Sequence, residues 1–158
     1  DCGRRKAQDY GDEGAAFQKK YMLNPACRVP LWHLVYHDCV ISFPYWGDAI
    51  NSCRETMQDK ALFSCLYGCP PLYSFFAGNF DALEEEIVRT YHMIAEVTEK
   101  VTTLPMTDFV YLTKDFTVQK TVFGGRYTVV ANFSEKDFEY KGVVVKAHNK
   151  TFIEGDTK

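Results

Sequence analysis

A chain of 158 residues has room for one ordinary domain or for parts of two. With 46% hydrophobic and 15% aromatic residues it is too apolar for a disordered tail. A formal net charge of −3 with no dense basic stripe speaks against a nucleic-acid partner, and no apolar run is long enough to predict a membrane-crossing helix.

Residues 1–28 are polar, carry Gly3, Gly11 and Gly14, and read as loop with a short helix. Within them Gly11-Asp12-Glu13-Gly14 reads as a glycine-flanked acidic turn, from which Glu13 projects either into a cleft or simply into solvent. The first residue is Asp1 rather than Met, which points to processing or to a start inside a longer protein. Val29 to Tyr36 is largely apolar on both alternating faces, the pattern of a buried strand in a doubly covered parallel sheet. His37-Asp38-Cys39 then falls at the strand's C-terminal end, which is the catalytic face of an α/β barrel. Phe43-Pro44-Tyr45-Trp46-Gly47-Asp48 reads as an aromatic loop.

Asp59 to Tyr67 predicts a short helix closed by Gly68 and stopped by Pro70-Pro71, and Leu72 to Phe76 predicts a further buried strand. Asp81 followed by Glu84 is a capping-box start, and Leu83, Ile87, Tyr91, Ile94, Val97 and Val101 recur at helical spacing. After Pro105 the period falls to two. Val118 to Phe123 alternates, Gly124-Gly125 suits a tight hairpin turn, and Arg126 to Phe133 returns with Tyr127, Val129, Ala131 and Phe133 on one face. Tyr140 to Ala147 and Thr151 to Ile153 predict two more strands. The resulting antiparallel meander is too small to close a sandwich by itself, so further strands are expected beyond Lys158.

Asp38 carries the strongest local signal for chemistry, since a carboxylate after a buried strand and before an aromatic loop can bind hydroxyl groups or do acid/base work. His37 offers the same, and Tyr45 and Trp46 offer flat faces with polar edges for a sugar ring. The alternative is structural, with Asp38 pairing internally and the aromatics filling a core. Cleavage of a glycosidic bond needs two carboxylates, and Asp12, Glu13, Asp38 and Asp48 are the candidates. His33 and His37 have HxxxH spacing, but a strand would not bring them together, and no metal site is assigned. Six irregularly spaced cysteines include Cys65 and Cys69, which read as small buried apolar residues. Cys39 lies near His37 without any cysteine-protease signature. There is no phosphate loop, dinucleotide fingerprint or serine elbow, and no cofactor is assigned. Asn132-Phe133-Ser134 and Asn149-Lys150-Thr151 match the N-glycosylation acceptor pattern.

Several separated blocks occur in one order: Val29-Pro30-Leu31-Trp32-His33-Leu34-Val35-Tyr36-His37-Asp38-Cys39, Tyr45-Trp46-Gly47-Asp48, Lys60-Ala61-Leu62-Phe63, Leu66-Tyr67-Gly68-Cys69-Pro70-Pro71, and Leu112-Thr113-Lys114-Asp115 leading through Val118 to Phe133. Over about residues 29–133 the chain resembles glycosidases related to glycoside hydrolase families 101 and 129, which act on α-linked N-acetylgalactosamine as in mucin-type glycans. The resemblance implies an α/β part followed by an all-β part, incomplete at both ends. Residues 1–104 would be the last strands and helices of a (β/α)8 barrel, and residues 105–158 a partial antiparallel β-sandwich. It implies a retaining enzyme whose nucleophile lies upstream. Asp38 matches the aspartate of a Tyr-His-Asp block that holds the sugar, and Glu13 matches an acidic Glu-Gly loop as a catalytic candidate. His37, Tyr45, Trp46 and Asp48 would line the pocket. The partners implied are a carbohydrate substrate and the upstream half of the barrel, with no metal and no cofactor. A non-catalytic carbohydrate-binding module or a structural domain is the competing expectation.

Overall fold

A computed structural model describes residues 11–46, 53–75, 78 and 80–155. Four α-helices come first: α1 (Gly11–Met22), α2 (Leu31–Tyr36), α3 (Met57–Tyr67) and α4 (Phe80–Val101). Six strands follow: β1 (Met106–Tyr111), β2 (Val118–Phe123), β3 (Tyr127–Asn132), β4 (Phe138–Tyr140), β5 (Val143–Val145) and β6 (Asn149–Glu154). The sheet runs in the order β1-β2-β3-β6 with every pair antiparallel, and β4-β5 is a separate hairpin. The fold is thus mixed, helices packed with an antiparallel sheet.

The predicted α3 and α4 are present because their patterns are strongly helical. Nine of the eleven residues of α3 are buried, and Gly68 closes it in the left-handed conformation that only glycine adopts without strain. In α4 the buried face is Leu83, Thr90, Ile94, Val97 and Val101, while Tyr91 points outward at 52% exposure. The helix starts at Phe80, one residue before the expected cap Asp81, which instead sits in its first turn.

Both helices lie on one face of the sheet. Phe63, Leu62 and Leu66 pack on Ala131 and Phe133, and Ile94, Val97 and Val101 pack with Phe123, Tyr127 and Val129. Thr121 Oγ1 donates 2.7 Å to the Leu66 carbonyl, so the buried hydroxyl ties β2 to α3. On the other face Val118 and Val130 pack with Val145, Phe138 and Tyr140 of the hairpin. Strand β3, covered on both sides, is buried along its whole length. Helices before residue 104 and strands after 105 therefore share two of their apolar clusters, so a boundary there joins packed units.

Three expectations are corrected. Val29 to Tyr36 is not a strand: its core is α2, in which the Leu34 amide donates 2.9 Å to the Pro30 carbonyl. A short apolar run cannot tell a buried strand from a helical turn, and Val29, Leu31 and Val35 have no sheet covering them here, at 54%, 67% and 63% exposure. Residues 72–75 form no regular strand, and Phe76 lies outside the described residues. No described residue before 105 is in a strand. Tyr140 to Ala147 is not one strand but a hairpin, because Lys141 and Gly142 both take positive φ (50° and 79°) and turn the chain back so that Tyr140 faces Val143. The expected Gly124-Gly125 turn is present, with φ of 57° and 65°.

One prediction follows from Gly68. A Cβ there would lie 2.6 Å from His37 Nε2 and 2.9 Å from both Phe123 and Val101, at a φ of 65°. Gly68→Ala should cost about 2–4 kcal/mol in urea unfolding, through backbone strain and overpacking together. A variant as stable as the parent would contradict this packing.

Candidate functional site

Helix α2 organises the region that holds most of the candidate residues. Successive residues of a helix are rotated by about 100°, so its six residues and His37 fall on three stripes. The inward stripe is His33 and His37. His37 is 5% exposed. Its Nδ1 donates 2.6 Å to the Leu104 carbonyl, its Nε2 lies 3.3 Å from the Gly68 carbonyl, and its ring packs 4.9 Å from Phe123. His33 stacks on Tyr67 with ring centres 5.1 Å apart and sits 3.6 Å from the Cys69 sulfur. The HxxxH pair does share a helix, contrary to expectation. Yet both nitrogens of His37 face carbonyl oxygens, and among the described residues no group of three His, Cys, Asp or Glu could hold a metal ion.

Trp46 belongs to the interior, at 1% exposure. Its ring centre is 5.5 Å from Phe63, and the Arg28 guanidinium lies 4.8 Å from it. That guanidinium also lies over Phe63 and Tyr67, within 5.6 Å of each ring centre, so three rings surround one cation. Arg28 further donates 3.1 Å to the Met22 carbonyl, and its own carbonyl accepts 2.9 Å from Tyr111 Oη. The segment between α1 and α2 is thereby fastened to the sheet. Nothing in the sequence singled out Arg28, because a lone arginine in a loop has no pattern until its aromatic neighbours fold around it.

The solvent side carries different residues. Asp38 is exposed in the turn after α2, where its Oδ1 accepts a 3.5 Å contact from the Cys39 thiol. Tyr45 is 55% exposed. Trp32 and Tyr36, one helical turn apart, are 53% and 45% exposed, with ring centres 4.7 Å apart. This aromatic pair was invisible as a pair while the segment read as a strand, since i and i+4 meet only on a helix. Leu31, Leu34 and Val35 form the third, aliphatic stripe. The structure thus places Asp38 and Tyr45 outside, and His37 and Trp46 inside. Glu13 falls in α1 rather than in an acidic turn, the alanines and long polar residues that follow it being good helix formers. Its side chain, like the whole of Asp48, lies outside the described residues.

Three of the described thiols are less readily ionised than a free cysteine. Burial pushes Cys65 and Cys69 up to about 12, and the adjacent Asp38 carboxylate pushes Cys39 up as well. Cys27, Cys39, Cys53, Cys65 and Cys69 are all free. Of the two glycosylation patterns, Asn132 is fully buried and spends its amide on the Lys136 and Val145 carbonyls, whereas Asn149 is exposed.

Burial, reinforced by His37 and Arg28, lowers the His33 pKa from 6.5 to about 4. The unfolded chain therefore takes up a proton below pH 6.5 that the folded chain refuses until about pH 4, so this residue's contribution to stability is lost as pH falls through that window. His33→Gln should shrink the drop in urea midpoint between pH 6.5 and pH 4.5. An unchanged drop would show that the ring does not carry it.

Comparison with known proteins places the chain in a family. The family model of glycosyl hydrolases related to the GH101 family, GH129, matches residues 15–122. Two solved structures of an α-N-acetylgalactosaminidase from Bifidobacterium bifidum are similar. One is a quadruple mutant, 26% identical, and the other a GalNAc complex, 25% identical. Each has a TM-score of 0.49 and covers 77% of this chain, while this chain spans only 18% of theirs. No curated protein sequence matches significantly. The family match runs from within α1 through α4 and β1 into β2, well over half of the residues, and the chain belongs to the glycosyl hydrolases of GH129, related to GH101.

Proposed function

We propose that this chain is the C-terminal part of a retaining glycoside hydrolase acting on α-linked N-acetylgalactosaminyl or related glycans, and that it supplies part of the sugar pocket. The observation that carries this reading is the family match over residues 15–122, which includes the Tyr36-His37-Asp38 block. Residues 1–104, whose described part is helical, would supply helices and loops to a (β/α)8 barrel whose strands lie largely outside them, and residues 105–158 would open a β-sandwich. The upstream barrel half, bearing the nucleophile, would cover the aliphatic stripe Leu31, Leu34 and Val35, which is too apolar to favour contact with water.

Within the proposed pocket Asp38 has the role its exposure suits, accepting hydrogen bonds from sugar hydroxyls, and Tyr45 in the following loop is exposed as well. His37 and Trp46 act from behind. His37 pins the end of α2 to Leu104 and thereby sets the direction of the Asp38 turn, and Trp46 anchors the loop that carries Tyr45. Glu13 is proposed as a catalytic carboxylate and Asp48 as a pocket residue on the resemblance alone. Among the described residues no helix is long and apolar enough to cross a membrane.

In the protein that carries the whole barrel, Asp38→Asn should lower kcat/KM on an aryl α-N-acetylgalactosaminide by about 100-fold or more, the usual scale for a positioned catalytic-site group. Its Tm should stay within a few degrees of the parent because the side chain is exposed. An unchanged kcat/KM would remove Asp38 from the site.

A further inference from the structure

We infer that Arg28 is a positioning residue for the proposed sugar pocket, setting the place of Tyr45 through Trp46 without itself meeting the sugar. This rests on the glycosidase reading above and adds to it a residue that no motif marks out.

Tyr45 is exposed, and it immediately precedes Trp46, which is 1% exposed. Residues 40–46 have no helix or strand of their own. An exposed side chain on such a stretch takes its position from the points at which the chain is fastened. Upstream the fastening is His37, bonded to the Leu104 carbonyl at 2.6 Å and packed on Phe123. Among the described residues the other fastening is the indole of Trp46, which meets Phe63 at 5.5 Å and Arg28 at 4.8 Å.

Arg28 is the contact that gives this indole a direction. Apolar packing of Trp46 on Phe63 is non-directional and tolerates sliding, whereas a cation draws the face of a ring toward itself. The guanidinium also lies 5.3 Å from the Phe63 ring centre and 5.6 Å from that of Tyr67. Its Nε donates toward Tyr67 Oη at 3.4 Å, and its Nη1 donates to the Met22 carbonyl at 3.1 Å. Tyr111 Oη in turn donates 2.9 Å to the Arg28 carbonyl. The arginine is thus fixed to the ends of α1, α3 and β1 at once. The Trp46 indole is referred to that frame, and Tyr45, one residue away, moves with it. Lysine would keep the charge but not the planar fork, since one ammonium cannot face three rings and donate to Met22 and Tyr67 together.

The test uses the protein that carries the whole barrel, with an aryl α-N-acetylgalactosaminide as substrate. Loss of folded molecules lowers the apparent kcat and leaves KM alone, so KM is the readout that separates positioning from stability. Arg28→Lys should raise KM about fivefold with kcat within about twofold of the parent, well short of the roughly 100-fold that a 1 Å misplacement of reacting groups can cost. Tyr45→Ala should raise KM about tenfold, and in that background Arg28→Lys should add less than about twofold, because two residues acting as one unit are not additive. Should Arg28→Lys fail to fold, Tyr111→Phe, which removes the bond to the Arg28 carbonyl and leaves the guanidinium in place, replaces it in the cycle with the same coupling expected. An unchanged KM in Arg28→Lys, or a rise that persists in full beside Tyr45→Ala, would overturn the positioning role and leave the glycosidase reading to Asp38→Asn. A parent protein that does not cleave the substrate would overturn both.

Discussion

Most of this structure depends on one close approach, the packing of four elements around Gly68. Helix α3 is buried on nearly every side, so its end must turn without adding volume. At that turn His37 of the α2 segment, Phe123 of β2 and Val101 of α4 all come within 3 Å of where a β-carbon would stand. The left-handed backbone ends α3 there, and the Gly68 carbonyl meets the His37 ring. Because His37 is held at this point and at Leu104, and His33 stacks on Tyr67, the other two stripes of α2 face outward. The directions of its aliphatic and aromatic stripes follow from that fixed edge.

A second anchor acts on the same segment from its other end. The Arg28 cation sits among Trp46, Phe63 and Tyr67 and reaches back to Met22, while its carbonyl takes the Tyr111 hydroxyl. Two rigid attachments thus bracket the residues between 28 and 37, one electrostatic and aromatic, the other a close-packed turn. The division of labour is physical. Side chains that would be costly to leave unpaired in the interior, His37 and Asn132 among them, donate to backbone carbonyls, and the carboxylate of Asp38 stays exposed to water. Burial raises the Cys65 and Cys69 pKa, and the neighbouring Asp38 carboxylate raises that of Cys39, so these three thiols are less readily ionised than a free cysteine.

What could be read from the chain alone follows the strength of local signals. Helix α4 has six turns of periodic apolar residues, α3 has a glycine stop, and β2 and β3 alternate around a double glycine, so all four were legible. The Lys141-Gly142 turn was missed because the valines after it look continuous with Tyr140, and lysine at positive φ leaves no signal in composition. The Val29 to Tyr36 segment misled because its apolar residues were read as needing cover on both faces, whereas α2 leaves several of them uncovered. Trp46 looked like a sugar-facing residue from its loop, but burial is decided by Phe63 and Arg28, which lie elsewhere in the sequence. The family resemblance survived these errors, since it rests on the order of blocks and not on the secondary structure assigned to them.

The proposed role, in which this chain helps a retaining enzyme release an α-linked amino sugar, fixes the stereochemistry of the first product. The most direct measurement is proton NMR of the reaction mixture at the first turnovers, with the barrel-bearing protein and an aryl α-N-acetylgalactosaminide. A double displacement through a covalent intermediate releases the sugar first as the α anomer, which only later equilibrates. Initial appearance of the α anomer is the predicted result, and initial appearance of the β anomer, or no released sugar at all, would contradict it.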